Sequence, residues 1–305
     1  MNGSTQPSPP AGPSGPFPAI RAFRLEQWIK NTLAFVPMVL NHQVTDPSLW
    51  LAGLVAFVAL GCVASAGYLV NDLRDREHDR LHPSKRSRPI AAGTLSAPAA
   101  IAWIAALVTI GVALAATSLP PAFLWTLIAY GAGTTAYSLG LKRVAILDVL
   151  VLAGLFVVRL EAGGAATDVA LSPWLLTFAM FVFLSLAIVK RYGELAMVRA
   201  GRAEGSPGRG YRVDDADLLR SVGVAAGTVS VVVLALYVMS DDVRVLYARP
   251  TLLLLVCPAL LFWVLRIWML ADRGELDDDP LVFTTRDPFA WATAAGVLAV
   301  LWLAT

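Results

Sequence analysis

The chain has 305 residues, 57% hydrophobic and 15% charged, with a formal net charge of +2. Water-soluble domains carry charge on roughly a quarter of their residues, so the composition excludes an ordinary soluble protein, and the small net charge excludes a basic nucleic-acid binder. Cys62 and Cys257 both fall inside apolar runs, which excludes a disulfide framework or Cys/His zinc module and leaves two small hydrophobes.

In chain order, residues 1–19 come first. The first eighteen hold six of the nineteen prolines and no charged side chain. Such a segment cannot bury enough surface to order itself, and it lacks the basic and apolar regions of a signal peptide. A disordered tail is expected there, followed by a single domain over 20–305. Apolar runs near twenty residues, the length that crosses about 30 Å of hydrocarbon, predict nine helices. They lie near 28–44, 48–70, 97–117, 121–140, 144–163, 171–190, 220–240, 250–271 and 286–304. The first is interrupted by Lys30, Asn31, Pro37 and Asn41 and is expected to be short or kinked. With the N-terminus inside, 21 of the 24 Lys and Arg residues fall on the inner side, as cytoplasmic loops require. The reading is an all-α polytopic protein of the plasma (inner) membrane, N-terminus cytoplasmic, polar chemistry on the cytoplasmic face.

The second span runs into Asn71-Asp72-Leu73-Arg74-Asp75-Arg76-Glu77-His78-Asp79. Asn71, Asp75 and Asp79 are spaced by four, and each step of four on an α-helix turns only about 40°. Asp72 joins them, three before Asp75 and seven before Asp79. Carboxylates on one face repel one another, and Mg²⁺ relieves this while adding phosphate oxygens of a ligand. The segment His82-Pro83-Ser84-Lys85-Arg86-Ser87-Arg88 follows at once. Acids for a metal beside bases for phosphate suit a diphosphate; the competing reading is a solvated helix end, its acids paired by Arg74, Arg76 and Arg80. Elsewhere, Arg159 lies within a span and is expected to face a polar cavity. Glu161 either neutralises it or lines the cavity, and Asp148 is either a ligand or an interfacial charge. His42, His78 and His82 form no metal triad by spacing.

The run YLVNDLRDREHDRLHPSKRSRPIAAGTLS resembles the first Asp-rich motif of the UbiA superfamily of intramembrane prenyltransferases. The resemblance implies a nine-helix UbiA-type bundle and a diphosphate held through Mg²⁺ by Asn71, Asp72, Asp75 and Asp79. Aromatic prenyltransferases of the family carry a second Asp-rich motif after the sixth span. Here that place reads Val189-Lys190-Arg191-Tyr192-Gly193-Glu194-Leu195, and Asp214, Asp215 and Asp217 come only later. Cations in place of acids suit a phosphate directly. The chain resembles the branch that includes decaprenyl-phosphate phosphoribosyltransferase. Arg24 to Asn31 is similar to its opening motif, with Leu25 replacing Pro; Ala136 to Lys142, Lys190 to Leu195, and Asp277 to Asp287 are similar to its later ones.

That resemblance implies Mg²⁺-dependent transfer of 5-phosphoribose from phosphoribosyl diphosphate to a polyprenyl (decaprenyl-type) phosphate. Asp75, Asp79, Lys190 and Arg191 are the expected catalytic set. Lys30, Lys85, Arg86, Arg88, Tyr137, Lys142, Arg159, Tyr192 and Glu194 are the expected substrate-binding residues. Within this scheme Lys85, Arg86 and Arg88 grip the 5-phosphate or the departing diphosphate, and Lys190 and Arg191 hold the acceptor head group. The alternative is an aromatic prenyltransferase moving an isoprenyl chain onto a quinone or haem precursor. A transporter would place its charges near the midplane instead.

Overall fold

A computed structural model describes residues 18–81, 85–201, 210–276 and 279–305. Most of the expected tail, residues 1–17, lies outside these, as do His82, Pro83, Ser84, Asp277 and Asp278. Pro18 and Ala19, expected in the tail, open a short helix, Pro18–Phe23.

Eight longer helices carry the fold: α1 (Pro47–Arg74), α2 (Ala97–Ser118), α3 (Pro121–Leu139), α4 (Leu147–Thr167), α5 (Pro173–Arg199), α6 (Ala216–Val238), α7 (Val256–Arg273) and α8 (Pro288–Ala304). Several begin with one local signal, a capping carboxylate or hydroxyl followed by Pro. Asp46 accepts from Ser48 N–H ahead of α1, Ser172 from Leu175 N–H ahead of α5, and Asp287 from Ala290 N–H ahead of α8. Each satisfies an orphan donor of the first turn, and Pro loses nothing there because its position needs no N–H.

Among the described residues, six helical segments are long and apolar enough to cross a membrane. They include α1, α2, α4 and α5, and the helices ending at Val238 and Arg273. Helix α3 reaches 19 residues but carries Thr126, Tyr130, Thr134, Thr135, Tyr137 and Ser138, and α8 has 17 residues. The first expected span differs most. Residues Leu25–Phe35 form an eleven-residue 3₁₀ helix, followed by a short α-helix, Val36–Leu40.

That 3₁₀ segment is wedged between α1 and α4, and small residues make its seat. A Cβ on Gly61 would lie 2.6 Å from the Trp28 ring, and one on Gly163 would collide with the backbone of Ala34. Trp28 also donates to Ser65 Oγ at 3.0 Å. At three residues per turn, positions three apart eclipse one another. Trp28, Asn31 and Ala34 therefore form one row facing α1 and α4, while Gln27 and Lys30 form a second row that Arg24, just ahead of the segment, adjoins at the cavity.

Packing divides into two neighbourhoods that share α4. On one side α1, α2 and α3 enclose Leu60, Val63, Phe123, Leu127 and Tyr130. On the other α5, α6 and α7 enclose Leu186, Ile188, Leu219, Ile267 and Trp268. Arg24, Gln27 and Lys30 border the space left between them.

Candidate active site

That space is a cavity of about 380 Å³, walled by the 3₁₀ segment, α1, α3, α4, α5 and the chain at Asp279–Leu281. Eight cations line it, namely Arg24, Lys30, Lys85, Arg88, Lys142, Arg159, Lys190 and Arg191, against three carboxylates, Asp75, Glu194 and Asp279. The charged lining is mostly cationic, although Asp72, Asp79 and Asp148 behind it pair Arg24, Arg88 and Arg191.

The acidic motif divides. Helix α1 ends at Arg74, Asp75 leaves helical geometry (φ −90°, ψ 4°), and a new helix runs Arg76–Leu81. Asn71 and Asp75 face the cavity, where Lys142 Nζ donates to Asn71 Oδ1 at 2.8 Å and to Asp75 Oδ2 at 2.6 Å. Asp72 and Asp79 are buried behind the wall. Asp72 pairs with Arg24 at 2.5 Å and Arg88 at 3.3 Å, and Asp79 with Arg88 at 2.7 Å. No cluster of three or more His, Cys, Asp or Glu side chains suited to a metal occurs among the described residues. The four-ligand arrangement expected from the sequence is therefore not assembled in this structure. Two oxygens do converge on one cationic atom, and that pair fits Mg²⁺, which takes one or two protein oxygens and completes its shell with phosphate and water.

The place of the missing second motif holds a buried network. Arg191, 2% exposed, donates from Nε to Asp148 Oδ2 at 2.5 Å and from Nη1 to both Glu194 oxygens at 2.8 Å. Tyr137 donates to Asp148 at 2.7 Å. Asp148 is thus a fully buried partner of Arg191, and Arg191, expected to grip phosphate, has its charge met by two carboxylates. Lys190, one residue earlier and more exposed, reaches Asp279 Oδ2 at 3.0 Å.

Asp279 joins distant parts of the chain. The same Oδ2 accepts from Lys30 at 2.7 Å, while Oδ1 accepts from Leu281 N–H and caps the helix Pro280–Thr284. Burial works to raise its pKa, but the ammoniums of Lys190 and Lys30 overcome this and hold it well below the usual carboxylate range.

Also lining the cavity, Arg159 is 6% exposed. It donates to Asn31 Oδ1 at 3.1 Å, Leu155 O at 2.9 Å and Tyr130 Oη at 2.6 Å. Glu161, two residues on, turns about 200° away round the helix and forms no ion pair among the described residues, so it does not neutralise Arg159.

Of the expected binding residues, Lys30, Lys85, Arg88, Tyr137, Lys142, Arg159, Lys190, Arg191 and Glu194 line the cavity. Arg86 is exposed outside it. Tyr192 points into the α5–α7 packing, donating to Asp272 at 2.5 Å beside Trp268, because it lies about 200° round α5 from Lys190. Arg24, Asn31, Tyr130, Asp148 and Asp279 were not in the expected set. Asp214, Asp215 and Asp217 stay apart from the cavity: Asp215 accepts from Arg212 N–H and Asp217 pairs with Arg199.

The bundle, six of whose helical segments are long and apolar enough to cross a membrane, surrounds a cationic cavity that presents the Asn71/Asp75 pair. The UbiA prenyltransferase family model matches residues 32–293, and the chain belongs to that family. It is 38% identical to the uncharacterized protein y4nM of Sinorhizobium fredii over 92% of this chain, while spanning 54% of that relative's length. It is 34% identical to nodulation protein NoeC of Azorhizobium caulinodans, covering 87% of this chain and 86% of the relative. It is 35% identical to the decaprenyl-phosphate phosphoribosyltransferase of Mycolicibacterium smegmatis, covering 78% and 76% respectively. A UbiA homologue from Archaeoglobus fulgidus, solved with GPP and Mg²⁺, superposes with a TM-score of 0.68 at 17% identity, over 93% of this chain and 99% of that one. It shares the fold.

Proposed function

We propose that the chain transfers 5-phosphoribose from phosphoribosyl diphosphate to a polyprenyl phosphate, releasing diphosphate, on the cytoplasmic face of the plasma membrane. The observation that carries this reading is the cation excess of the cavity, with Lys190 and Arg191 standing where a second acidic motif would hold another metal. Two phosphorylated substrates suit that charge distribution better than one prenyl diphosphate and a neutral aromatic acceptor. The 35% identity to a decaprenyl-phosphate phosphoribosyltransferase supports the same choice.

In this mechanism the C1–O bond of the donor breaks as diphosphate leaves, and an acceptor phosphate oxygen forms the new bond to C1. That oxygen is already anionic, so no general base is needed. Asn71 and Asp75 would hold Mg²⁺, which supplies positive charge to the leaving group when bound. Lys142, which meets both oxygens in this structure, would give them up to the metal and turn to the diphosphate, with Lys85 and Arg88 completing that end. Asp72 and Asp79 act from behind, orienting Arg24 and Arg88. Lys30 and Lys190 hold the acceptor phosphate. Arg191 positions Tyr137 and Glu194 rather than taking phosphate itself. An adjoining apolar cavity of about 280 Å³, lined by Ile29, Leu33, Phe183, Leu281 and Trp291, shares Lys30 and Leu281 with the main one and accommodates the start of the lipid tail.

The test is transfer by purified protein with Mg²⁺. Labelled phosphoribosyl diphosphate is offered with polyprenyl phosphate, and labelled isoprenyl diphosphate with 4-hydroxybenzoate. Label entering the lipid phase from the first donor, and lost in Asp75→Asn, supports the proposal. Transfer only from the second replaces it with an aromatic prenyltransferase.

A further inference from the structure

The cations of the cavity are not equivalent. Arg24, Lys30, Arg88, Lys142, Lys190 and Arg191 each have a carboxylate within 3.3 Å; Lys85, half-buried, and Arg159, buried, have none among the described residues. Arg159 is held instead by an amide oxygen, a backbone carbonyl and a phenol. A buried, uncompensated cation within a membrane span is costly. The three hydrogen bonds of Arg159 reach Asn31, Tyr130 and its own helix but leave that charge uncompensated.

The hydrogen-bond inventory points the same way. Three of the five guanidinium N–H groups are used in those bonds, leaving two for a ligand. Asn31, 1% exposed, gives its Oδ1 to Arg159 and leaves its Nδ2 with no partner among the described residues. The Tyr130 and Phe156 rings flank the guanidinium, with centroids 4.6 and 5.1 Å from Cζ, so its plane is fixed. Unused donors on a fixed cation that lines the cavity are matched by a compact oxyanion with several acceptors.

Arg159 forms no hydrogen bond with Asn71, Asp75 or Lys142 among the described residues, and it stacks on the Phe156 ring that Lys30 also approaches. We propose that Arg159, positioned by Asn31, forms a subsite for a phosphate monoester. Resting on the function proposed above, its occupant is the 5-phosphate of the sugar donor, with the diphosphate held where Asn71 and Asp75 meet Lys142. The site is thereby selective for a donor that is anionic at both ends. The acceptor's phosphate is the other monoester present, and it belongs at Lys30 and Lys190.

The experiment measures binding to the full-length protein in nanodiscs by isothermal titration, with ribose 5-phosphate, inorganic phosphate and farnesyl phosphate as probes. Ribose 5-phosphate carries the monoester without the diphosphate. Its affinity is expected to fall about tenfold or more in Arg159→Gln and to stay within about twofold in Asp75→Asn. Asn31→Asp supplies the missing counter-ion from the protein. This variant is expected to melt no lower than wild type and to lose ribose 5-phosphate binding as Arg159→Gln does, an outcome that a purely structural Arg159 does not produce. Undiminished ribose 5-phosphate binding in both variants overturns the subsite, as does loss of farnesyl phosphate binding alone. If no phosphoribosyl transfer occurs but inorganic phosphate still binds in an Arg159-dependent way, the subsite stands and the donor assignment falls.

Discussion

The ammonium of Lys142 sits 2.6 Å from Asp75 Oδ2. It occupies the point where the motif's two cavity-facing oxygens converge, so lysine and divalent metal compete for the same ligands. Lys142→Met removes the competitor. Metal affinity of the substrate-free protein is expected to rise about fivefold, equivalent to ~1 kcal/mol for one partly exposed charge pair, while transfer falls. Mn²⁺ titration followed by electron paramagnetic resonance reads the first effect. Unchanged or weaker metal binding would show that the two oxygens are not metal ligands.

Asp279 and its two lysines set a pH dependence. Because its pKa is depressed in the folded protein, its contribution to stability is fully present above the ordinary carboxylate range. It is lost only as pH falls through the lower, folded value. The difference in melting temperature between wild type and Asp279→Asn should therefore be constant from pH 8 to about pH 5 and shrink only below the usual pKa near 4. A difference that already collapses between pH 7 and pH 5 would contradict the assignment.

Neighbouring residues on α5 should behave oppositely. Arg191→Gln strands Asp148, which has no solvent exposure, and breaking a buried pair on one side costs about 3–5 kcal/mol. Lys190→Gln removes a partly exposed ammonium and should leave the melting temperature within a few degrees while raising KM for the acceptor. Asp148→Asn combined with Arg191→Gln should recover part of the lost stability. Thermal unfolding in detergent, together with acceptor saturation curves, separates the two roles.

Gly163 and Gly67 supply a packing test. A side chain at Gly163 collides with the Ala34 backbone, whereas a Cβ on Gly67 meets Thr134 at an ordinary 3.6 Å. Gly163→Val should destabilise by about 1–3 kcal/mol through overpacking and displace the 3₁₀ segment. Gly67→Ala should be tolerated, and equal melting temperatures for the two would refute the seat.

The sequence made the membrane character, most helix positions and the Asn71/Asp75 pair legible, because hydropathy and four-residue spacing are local. Asp79 lies apart from Asn71 and Asp75 for a physical reason: the one-face argument assumes an unbroken helix, and the helix is interrupted at Asp75. The Lys30–Asp279 contact spans 249 positions, and no periodicity reaches that far. Tyr192 was grouped with Lys190 by adjacency, although successive helix positions diverge by about 100°. Asn31 read as an interruption of an apolar span because an α-helical period was assumed where the backbone winds as 3₁₀.

That winding sets a reading frame. Each residue of the 3₁₀ segment advances about 120°, so inserting or deleting one residue between Arg24 and Ala34 would exchange whole rows of side chains. Trp28 and Asn31 would leave their glycine seat, and Lys30 would turn from the cavity toward hydrocarbon or core. Homologues should therefore tolerate substitution along this segment far more readily than any change in its length. A single-codon deletion here should silence the enzyme while leaving its hydropathy profile intact.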